Sequence, residues 1–195
     1  MSADSRLLLP AVLLACLLAA AVACDVRSRR IPNTLVLLGM LAGLALQATV
    51  TPGAGLFSEP FGALGLLQGG AGMALGLLLL LPMYALGALG AGDVKLLAMI
   101  GTFLGPLDIV GAGLASVLAG GVLALLVSLF QGSLRKVGAN VKVMVLGSVL
   151  RGIAGGSARI DAPPAATGQL PYAVAIASGT AGYLLLTRYF GWSLL

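Results

Sequence analysis

The sequence predicts an all-α polytopic membrane protein with about six transmembrane helices. Of its 195 residues, 59% are hydrophobic and only 9% are charged, and the mean hydropathy is +1.10. Charged residues make up about 25% of a typical soluble domain. Apolar runs of roughly 18 or more residues are candidate transmembrane helices, because about 20 residues at 1.5 Å each cross a hydrocarbon core of ~30 Å. These observations place the chain in a bilayer.

Six apolar runs follow one another along the chain, and we predict one helix from each. Their approximate bounds are 7–24, 35–50, 61–89, 94–105, 108–130 and 172–190. The fourth run is short, because only about 12 residues, or ~18 Å of helix, separate Val94 from the Gly105-Pro106 break. Either this helix is inset or its start lies below the membrane surface.

The connections between the runs are short except for residues 131–170. This segment carries five basic residues: Arg135, Lys136, Lys142, Arg151 and Arg159. Apolar side chains recur at helical spacing in its middle, which is typical of a basic amphipathic helix on the membrane surface. A solvated basic loop fits the same spacing, so both interpretations stay open. We treat residues 1–195 as a single membrane-embedded domain that includes this loop.

The basic residues predict the orientation of the chain. Nine fall on one side of a six-span topology and two, Arg6 and Arg188, on the other. The nine are the five of the long loop together with Arg27, Arg29, Arg30 and Lys95. By the positive-inside rule the richer side is cytoplasmic, so we expect both termini to be extracytoplasmic and the long loop cytoplasmic. The net charge of +5 then reflects topology and attraction to anionic headgroups, and it gives no support to nucleic-acid binding.

The first run admits a second interpretation. Its end, "AVAC", resembles a bacterial lipoprotein cleavage box with Cys24 as the lipidated residue. The residues before this run carry little net positive charge, since Asp4 offsets Arg6, so we favour a first span that is retained rather than cleaved. Cys16 and Cys24 form no CxxC pair, and we expect them to be packing residues rather than a disulfide or a metal site. No metal or cofactor is predicted.

Two of the six acidic residues stand apart by their position. Asp25 ends the first span and Asp93 opens the fourth, so antiparallel helices bring both to the cytoplasmic end of the bundle. An ionisable group at membrane depth costs several kcal/mol and marks a functional site by default. Two carboxylates a few Å apart share a proton, so one can activate water while the other polarises a carbonyl. The other four fit solvated or helix-end positions: Asp4, Glu59, Asp108 and Asp161.

The residues around Asp93 predict a tight turn. Gly90 and Gly92 lack side chains, which lets another backbone approach closely and lets the turn adopt positive φ. Lys95 follows Asp93 by two positions, so on a helix the two side chains point about 200° apart. We expect Lys95 to reach the headgroups as a topology anchor rather than to pair with Asp93.

Two prolines mark helix boundaries. Pro32 disfavours helix at Ile31, so we predict a break between Asp25 and the second span, after which Asn33 or Thr34 can cap the next helix. Pro171 suits a first helical turn and Tyr172 an interfacial ring. This favours structural roles for both, with contact to substrate as the alternative.

Two GxxxG pairs lie in apolar runs, Gly39 with Gly43 and Gly72 with Gly76. Small residues at this spacing let helices approach closely in membranes. We expect packing within one chain, and a homodimer face is the alternative.

Three motifs together resemble the type IV prepilin leader peptidases, a family of polytopic aspartic peptidases. "GAGDVKLLAMIG", residues 90–101, resembles the family's GxGD motif, and "DVRSRRIPN", residues 25–33, resembles its first motif. "LPYAVAIASG", residues 170–179, is similar to its pattern at the start of the last span. One motif alone is weak in a chain with 29 glycines, but the combination is specific and covers nearly the whole chain.

The resemblance implies that Asp25 and Asp93 are the catalytic pair. It implies an aspartic endopeptidase of the bacterial inner membrane that removes a short, basic, glycine-ending leader from prepilin-like precursors at the cytoplasmic face. Supporting motif residues would be Gly90, Gly92, Lys95, Ile31, Pro32 and Asn33, with Pro171 and Tyr172 as structural or substrate-proximal residues.

Longer members of this family carry an added cytoplasmic segment with paired cysteines between the first two spans, which is associated with N-methylation. Here about ten residues join those spans and the cysteines are absent, so by this resemblance N-methyltransferase activity is not expected. The chain resembles the short, peptidase-only members, such as those that serve Flp/Tad pili.

Two other classes of protein are compatible with intramembrane acids. A small proton- or cation-coupled transporter component could use Asp25 and Asp93 as a relay. Such proteins frequently show internal repeats with paired broken helices, and the two halves of this sequence show no convincing repeat. An assembly scaffold without chemistry predicts that both acids can be replaced without consequence. The motif combination favours the peptidase.

Overall fold

The computed structural model describes residues 3–58, 60–130 and 171–190, and these residues form six helices. They are α1 (Ala3–Ser28), α2 (Asn33–Thr49), α3 (Leu66–Ala85), α4 (Ala91–Leu104), α5 (Pro106–Phe130) and α6 (Tyr172–Phe190). Isolated bridges are the only β-type pairing in these three ranges, so the all-α prediction is confirmed for them. The predicted surface helix of the 131–170 loop lies outside the described residues.

The third predicted span was wrong at both ends. Helix α3 begins at Leu66 rather than near residue 61, and it ends at Ala85 rather than near residue 89. The late start arises because residues 60–63 pair with residues 51–55: the Ala63 N–H donates to the Thr51 carbonyl over 2.8 Å and the Gly53 N–H to the Ala63 carbonyl over 3.0 Å. Residues 61–65 are mostly apolar, so the predicted span included them, although they are not helical.

Helix α4 is the core of the bundle. Each of its residues from Val94 to Leu104 is buried except Lys95, and the helix contacts all five others. Its 14 residues span ~21 Å, less than the ~30 Å of a hydrocarbon core. A short helix enclosed by longer ones places its first residues inside the bundle rather than above it.

The surrounding helices turn large apolar side chains outwards. Leu38 on α2 is 64% exposed, Leu67 on α3 is 90% exposed and Leu118 on α5 is 71% exposed, whereas α4 contributes no exposed large hydrophobic residue. An apolar surface this extensive is unfavourable in water and suits contact with lipid. The protein is therefore a membrane protein.

Three helices among the described residues are long and apolar enough to cross a bilayer. They are Leu8–Ser28 within α1, Leu66–Ala85 and Pro106–Phe130. Helix α2 is apolar but has only 17 residues. The count of six crossings and the extracytoplasmic position of both termini stay predictions.

Glycines allow the backbones of α3 and α4 to touch. A Cβ atom on Gly72 would overlap the carbonyl oxygen of Gly101, and one on Gly76 would lie 2.6 Å from the carbonyl oxygen of Leu97. On α2, Gly39 and Gly43 receive side chains of α4 in the same way. Both GxxxG pairs therefore pack helices within one chain, as predicted.

A buried amide ties the helices together at the end of the bundle where α4 finishes. Gln47 is 2% exposed, and its Nε2 donates to the carbonyl oxygens of Thr102 and Phe103 over 3.3 and 3.1 Å. Its Oε1 accepts from the Leu64 N–H over 2.9 Å. Gln47 thereby satisfies carbonyls in the last turn of α4, which have no partner within that helix. The opposite end of the bundle is held by different contacts, and it contains the candidate site.

Candidate active site

Asp25 lies in the last turn of α1, not after its end, because the helix continues to Ser28. The helix stops where Arg29 adopts a left-handed conformation, with φ of 53°, and its N–H bonds to the Asp25 carbonyl over 2.9 Å. The Asp25 side chain is only 8% exposed, and its Oδ2 accepts a hydrogen bond from the Ala173 N–H over 3.1 Å. Ala173 is in the first turn of α6, so this carboxylate joins two helix ends.

Asp93 lies in the first turn of α4, one residue before the apolar segment that starts at Val94. Its Oδ2 accepts from the Gly90 N–H over 3.1 Å, and its own N–H donates to the Gly90 carbonyl over 3.2 Å. The bond from the Gly90 N–H to the carboxylate is the side-chain half of a capping box, and it fixes the carboxylate at the helix start. The other bond goes to the backbone carbonyl because glycine has no side chain. The geometry explains why an aspartate is favoured three residues after Gly90.

The two carboxylates are close enough to interact electrostatically. Partial burial raises the pKa of Asp93 from 3.8 to about 6, with the Gly90 hydrogen bond opposing and the charge of Asp25 adding to the rise. Each unit of this rise corresponds to about 1.4 kcal/mol against the ionised form. Asp93 therefore holds its proton at a pH where an ordinary aspartate has lost it.

Tyr172 completes this group of residues from the side of α6. It lies close enough to Asp93 for the two side chains to interact electrostatically. Its ring packs against α5, where a Cβ on Gly120 would lie 2.8 Å from the ring. The carboxyl end of α1 and the amino ends of α4 and α6 thus meet at one place, which brings together Asp25, Asp93 and the Pro171-Tyr172 dipeptide.

The loop between α1 and α2 is held against the start of α4. A Cβ on Gly92 would lie 3.4 Å from the Cβ of Ile31, so the isoleucine covers this glycine. Beyond it, the Lys95 Nζ donates to Asn33 Oδ1 over 3.1 Å at an exposed position. The residues quoted for two of the sequence motifs therefore make direct contact, and Pro32 between them provides the turn.

Two local predictions were wrong, the cap of α2 and the positive φ at Gly90. Neither Asn33 nor Thr34 caps α2: Pro32 is at the N-cap without a side-chain bond, and the Asn33 amide oxygen accepts from Lys95 instead. Lys95 is exposed, as expected, but it bonds to this amide. Gly90 has φ of −81° and is extended, and the positive φ near this turn occurs at Gly87, at 78°.

Ala173 is the site residue that the sequence did not reveal. It acts through its backbone N–H, which leaves no mark on residue identity, although the motif at residues 170–179 indicated the right segment. No group of three or more potential metal ligands (His, Cys, Asp or Glu) occurs within the described ranges. Cys16 and Cys24 are both free thiols on α1.

A cavity of about 600 Å³ lies at the other end of the bundle, away from Asp25 and Asp93. Its wall includes Gln68, Leu104 and Asp108, together with Tyr183, whose hydroxyl donates to Asp108 Oδ1 over 2.8 Å. Asp108 is in the first turn of α5, as expected for a helix-end carboxylate. This cavity is separate from the candidate active site.

The model of the type IV leader peptidase family matches residues 12–125 of the chain. The match covers more than half of the sequence and includes both aspartates and both contacting loops. The chain belongs to the type IV leader peptidase family. Comparisons with curated proteins and with solved structures give no significant match.

Membership in the type IV leader peptidase family shows that the protein is a leader-peptidase-like protease of a membrane. The matched segment ends within α5, so α6 lies beyond it. The contact between Ala173 and Asp25 is therefore a feature of this structure that the family match does not include. It connects the last described helix to the centre of the site.

Proposed function

We propose that the protein is an aspartic endopeptidase that removes the short basic leader from prepilin-like precursors, with Asp25 and Asp93 as its catalytic pair. The observation that carries this proposal is that the two carboxyl groups lie within electrostatic range of each other, at the meeting point of three helix ends. Two neighbouring carboxyl groups with unequal surroundings are the arrangement that lets one stay ionised and the other protonated.

The chemistry requires one proton between the two groups. The ionised carboxylate takes a proton from water, and the oxygen of that water attacks the scissile carbonyl carbon. The protonated carboxyl group donates its hydrogen to the carbonyl oxygen as the tetrahedral intermediate forms. The peptide C–N bond then breaks as the leaving amine takes a proton from the pair. At the same time a hydroxyl of the tetrahedral intermediate gives its proton to the pair and becomes part of the product carboxyl group, so the pair regains its one shared proton.

The position of the site supports cleavage near the membrane surface. Asp25 and Asp93 lie at helix ends, and the exposed Arg27 and Arg30 follow Asp25 directly. Basic side chains at this level attract anionic headgroups and, by the positive-inside rule, support a site on the cytoplasmic face. A peptide bond inside a helix is shielded, so a precursor must unwind near its cleavage point, and glycine, with its poor helix propensity, favours this.

The proposed enzyme is a peptidase without a methyltransferase. Only residues 29–32 separate α1 from α2, and they are engaged by the start of α4 through Ile31 and Gly92. This connection leaves no space for an inserted segment between the first two helices. We therefore assign the chain to the short, peptidase-only form that acts on Flp/Tad-type precursors in the bacterial inner membrane.

The test is cleavage of a reporter precursor by the full chain in proteoliposomes. The reporter has a basic leader ending in glycine followed by an apolar helix, and removal of the leader is read as a mobility shift. Asp25→Asn and Asp93→Asn each retain an oxygen that can accept from Ala173 or Gly90, so both should fold while cleavage is lost. We expect each rate to fall at least ~10³-fold, because neither residue can do the other's task.

Asp108→Asn is the matched control, since it removes an acid at the far end and preserves an acceptor for Tyr183. We expect its rate of cleavage to stay within about 2-fold of the native rate, because the substitution lies far from the candidate active site. Retained cleavage in either Asp25→Asn or Asp93→Asn would exclude the catalytic pair. No cleavage by the native chain would instead favour the transporter interpretation of these acids.

A further inference from the structure

The first turn of α6 presents a buried donor to Asp25. Ala173 is the second residue of α6 and is fully buried, and its N–H is one of the four at a helix start that have no acceptor within the helix. Asp25 Oδ2 is the acceptor, over 3.1 Å. A buried N–H without a partner costs about 1–3 kcal/mol, so this pairing is strongly favoured once the two helices pack.

Asp25 needs such a donor because of its place in α1. It lies in the last turn of that helix, where the unpaired carbonyl groups carry partial negative charge and disfavour a carboxylate. The N-terminus of α6 carries the opposite partial charge. A hydrogen bond from it to an ionised carboxylate is about twice as strong as one to a neutral group.

The position of this donor is fixed by packing between α5 and α6. A Cβ on Gly179 would overlap the backbone of Ser116, and Tyr172 fills the space beside Gly120. The Ser116 hydroxyl donates to the Ile176 carbonyl over 3.3 Å across the same interface. With α5 and α6 in backbone contact, the N–H of Ala173 has little freedom to move away from Asp25.

We infer that the N-terminus of α6 sets the roles of the two acids: the Ala173 N–H keeps Asp25 as the ionised base, and Asp93 carries the shared proton as the acid. This assignment rests on the proposed peptidase function and adds the division of roles to it. Ala173 is a positioning residue, since it acts through Asp25. The raised pKa of Asp93 is consistent with Asp93 as the protonated acid of the pair.

The other charged groups near Asp25 are few. Helix α4 provides Asp93 and Lys95, α6 provides Tyr172, and α2 has no titratable side chain. The end of α1 adds Arg27, Arg29 and Arg30. These groups are thus four cations, one tyrosine and one other acid, Asp93.

The test removes the donor without changing a side chain. Lactic acid in place of Ala173, introduced by nonsense suppression, converts the backbone N–H into an ester oxygen. The matched control is the equivalent ester at Val174, whose N–H bonds to the Pro171 carbonyl over 3.1 Å and not to Asp25. Both proteins are assayed in proteoliposomes on the reporter precursor, and kcat/KM is measured against pH.

We expect the ester at position 173, and not the one at 174, to move the acidic limb of the profile up by about one pH unit, because the ionised base has lost a charge-assisted bond. The alkaline limb should stay in place, since we assign it to Asp93, which accepts from Gly90 and not from Ala173. Ala173→Pro also lacks the N–H and is tolerated in a first helical turn, so it provides an independent variant with the same expected shift.

Two results would overturn the inference. Movement of the alkaline limb would make Asp25 the acid, and an equal loss of activity at all pH values would make the contact purely structural. Both outcomes leave the peptidase assignment intact, because that assignment depends on the loss of cleavage in Asp25→Asn and Asp93→Asn.

Discussion

The backbone N–H of Ala173 donates to Oδ2 of Asp25 over 3.1 Å, although the two residues are 148 positions apart. This bond joins the last described helix to the first, beside the first turn of α4, which contains Asp93. The candidate active site therefore depends on three helix ends that meet, and each can be disturbed separately by a single substitution.

Substitution of Gly120 should disturb the site through Tyr172. In Gly120→Ala the new methyl group would lie 2.8 Å from Cε2 of the Tyr172 ring, so the ring must move. Tyr172 begins α6 next to Ala173, and small misplacements at a reactive centre are costly. We expect kcat/KM to fall about 10-fold with little change in thermal stability, measured on the reporter precursor. In the control, Gly121→Ala, the methyl group meets open space, and a similar loss there would contradict this explanation.

Substitution of Gly72 should disturb the fold instead. Gly72→Ala places a methyl group against the Gly101 carbonyl and 2.8 Å from the Gly105 Cα, and backbone atoms of a buried helix cannot move aside. We expect a loss of about 3 kcal/mol in unfolding free energy, seen as a lower Tm in detergent. Gly70→Ala on the same helix meets nothing within 4 Å and should gain about 0.5–1 kcal/mol. Equal Tm values for the two variants would refute the α3–α4 contact.

Removal of the Gln47 amide should loosen the end of the bundle opposite the site. Gln47→Leu leaves the Leu64 N–H and two carbonyl groups of α4 without their partner. We expect about 3 kcal/mol of destabilisation by chemical unfolding. Thr49→Val removes an exposed hydroxyl bond to the Ala45 carbonyl and should change stability by no more than about 0.5 kcal/mol.

The rate of cleavage should fall as the pH rises through the pKa of Asp93. This group is protonated below its pKa of about 6 and ionised above it, and the proposed mechanism needs it protonated. We therefore expect kcat/KM of the native chain to decline above about pH 6, with one proton lost per site. A rate that increases steadily from pH 6 to pH 8 would contradict the role of Asp93 as the acid.

Most helix positions, and the location of Asp25 and Asp93 at the same end of the bundle, could be predicted because they depend on local information. Apolar runs set the helix positions, and the order of the helices brings Asp25 and Asp93 to the same end. The starting residue of the last span, Tyr172, was predicted correctly. By contrast, the start of α3 was placed too early, because hydropathy cannot distinguish the apolar but non-helical residues 61–65 from a helix.

Features that depend on tertiary contacts were missed. Gln47 is a polar residue in an apolar helix. Its role as a hydrogen-bond donor to the last turn of α4 can be recognised only once α4 is known to pack beside it. The cap predicted at Asn33 fails because a distant lysine engages its amide oxygen. Ala173 carries no side-chain signal at all, since its contribution is a backbone N–H. These contacts become visible only when the packing of helices distant in sequence is known.

The most direct test of the account is an infrared titration of the protonated carboxyl group in the native chain, Asp93→Asn and Asp25→Asn. The native-minus-Asp93→Asn difference spectrum should show one carboxylic acid band that disappears with a midpoint near pH 6. Loss of the neighbouring charge in Asp25→Asn should move that midpoint to lower pH. A midpoint that Asp25→Asn leaves unchanged, or a band that survives in Asp93→Asn, would contradict a proton shared by these two acids.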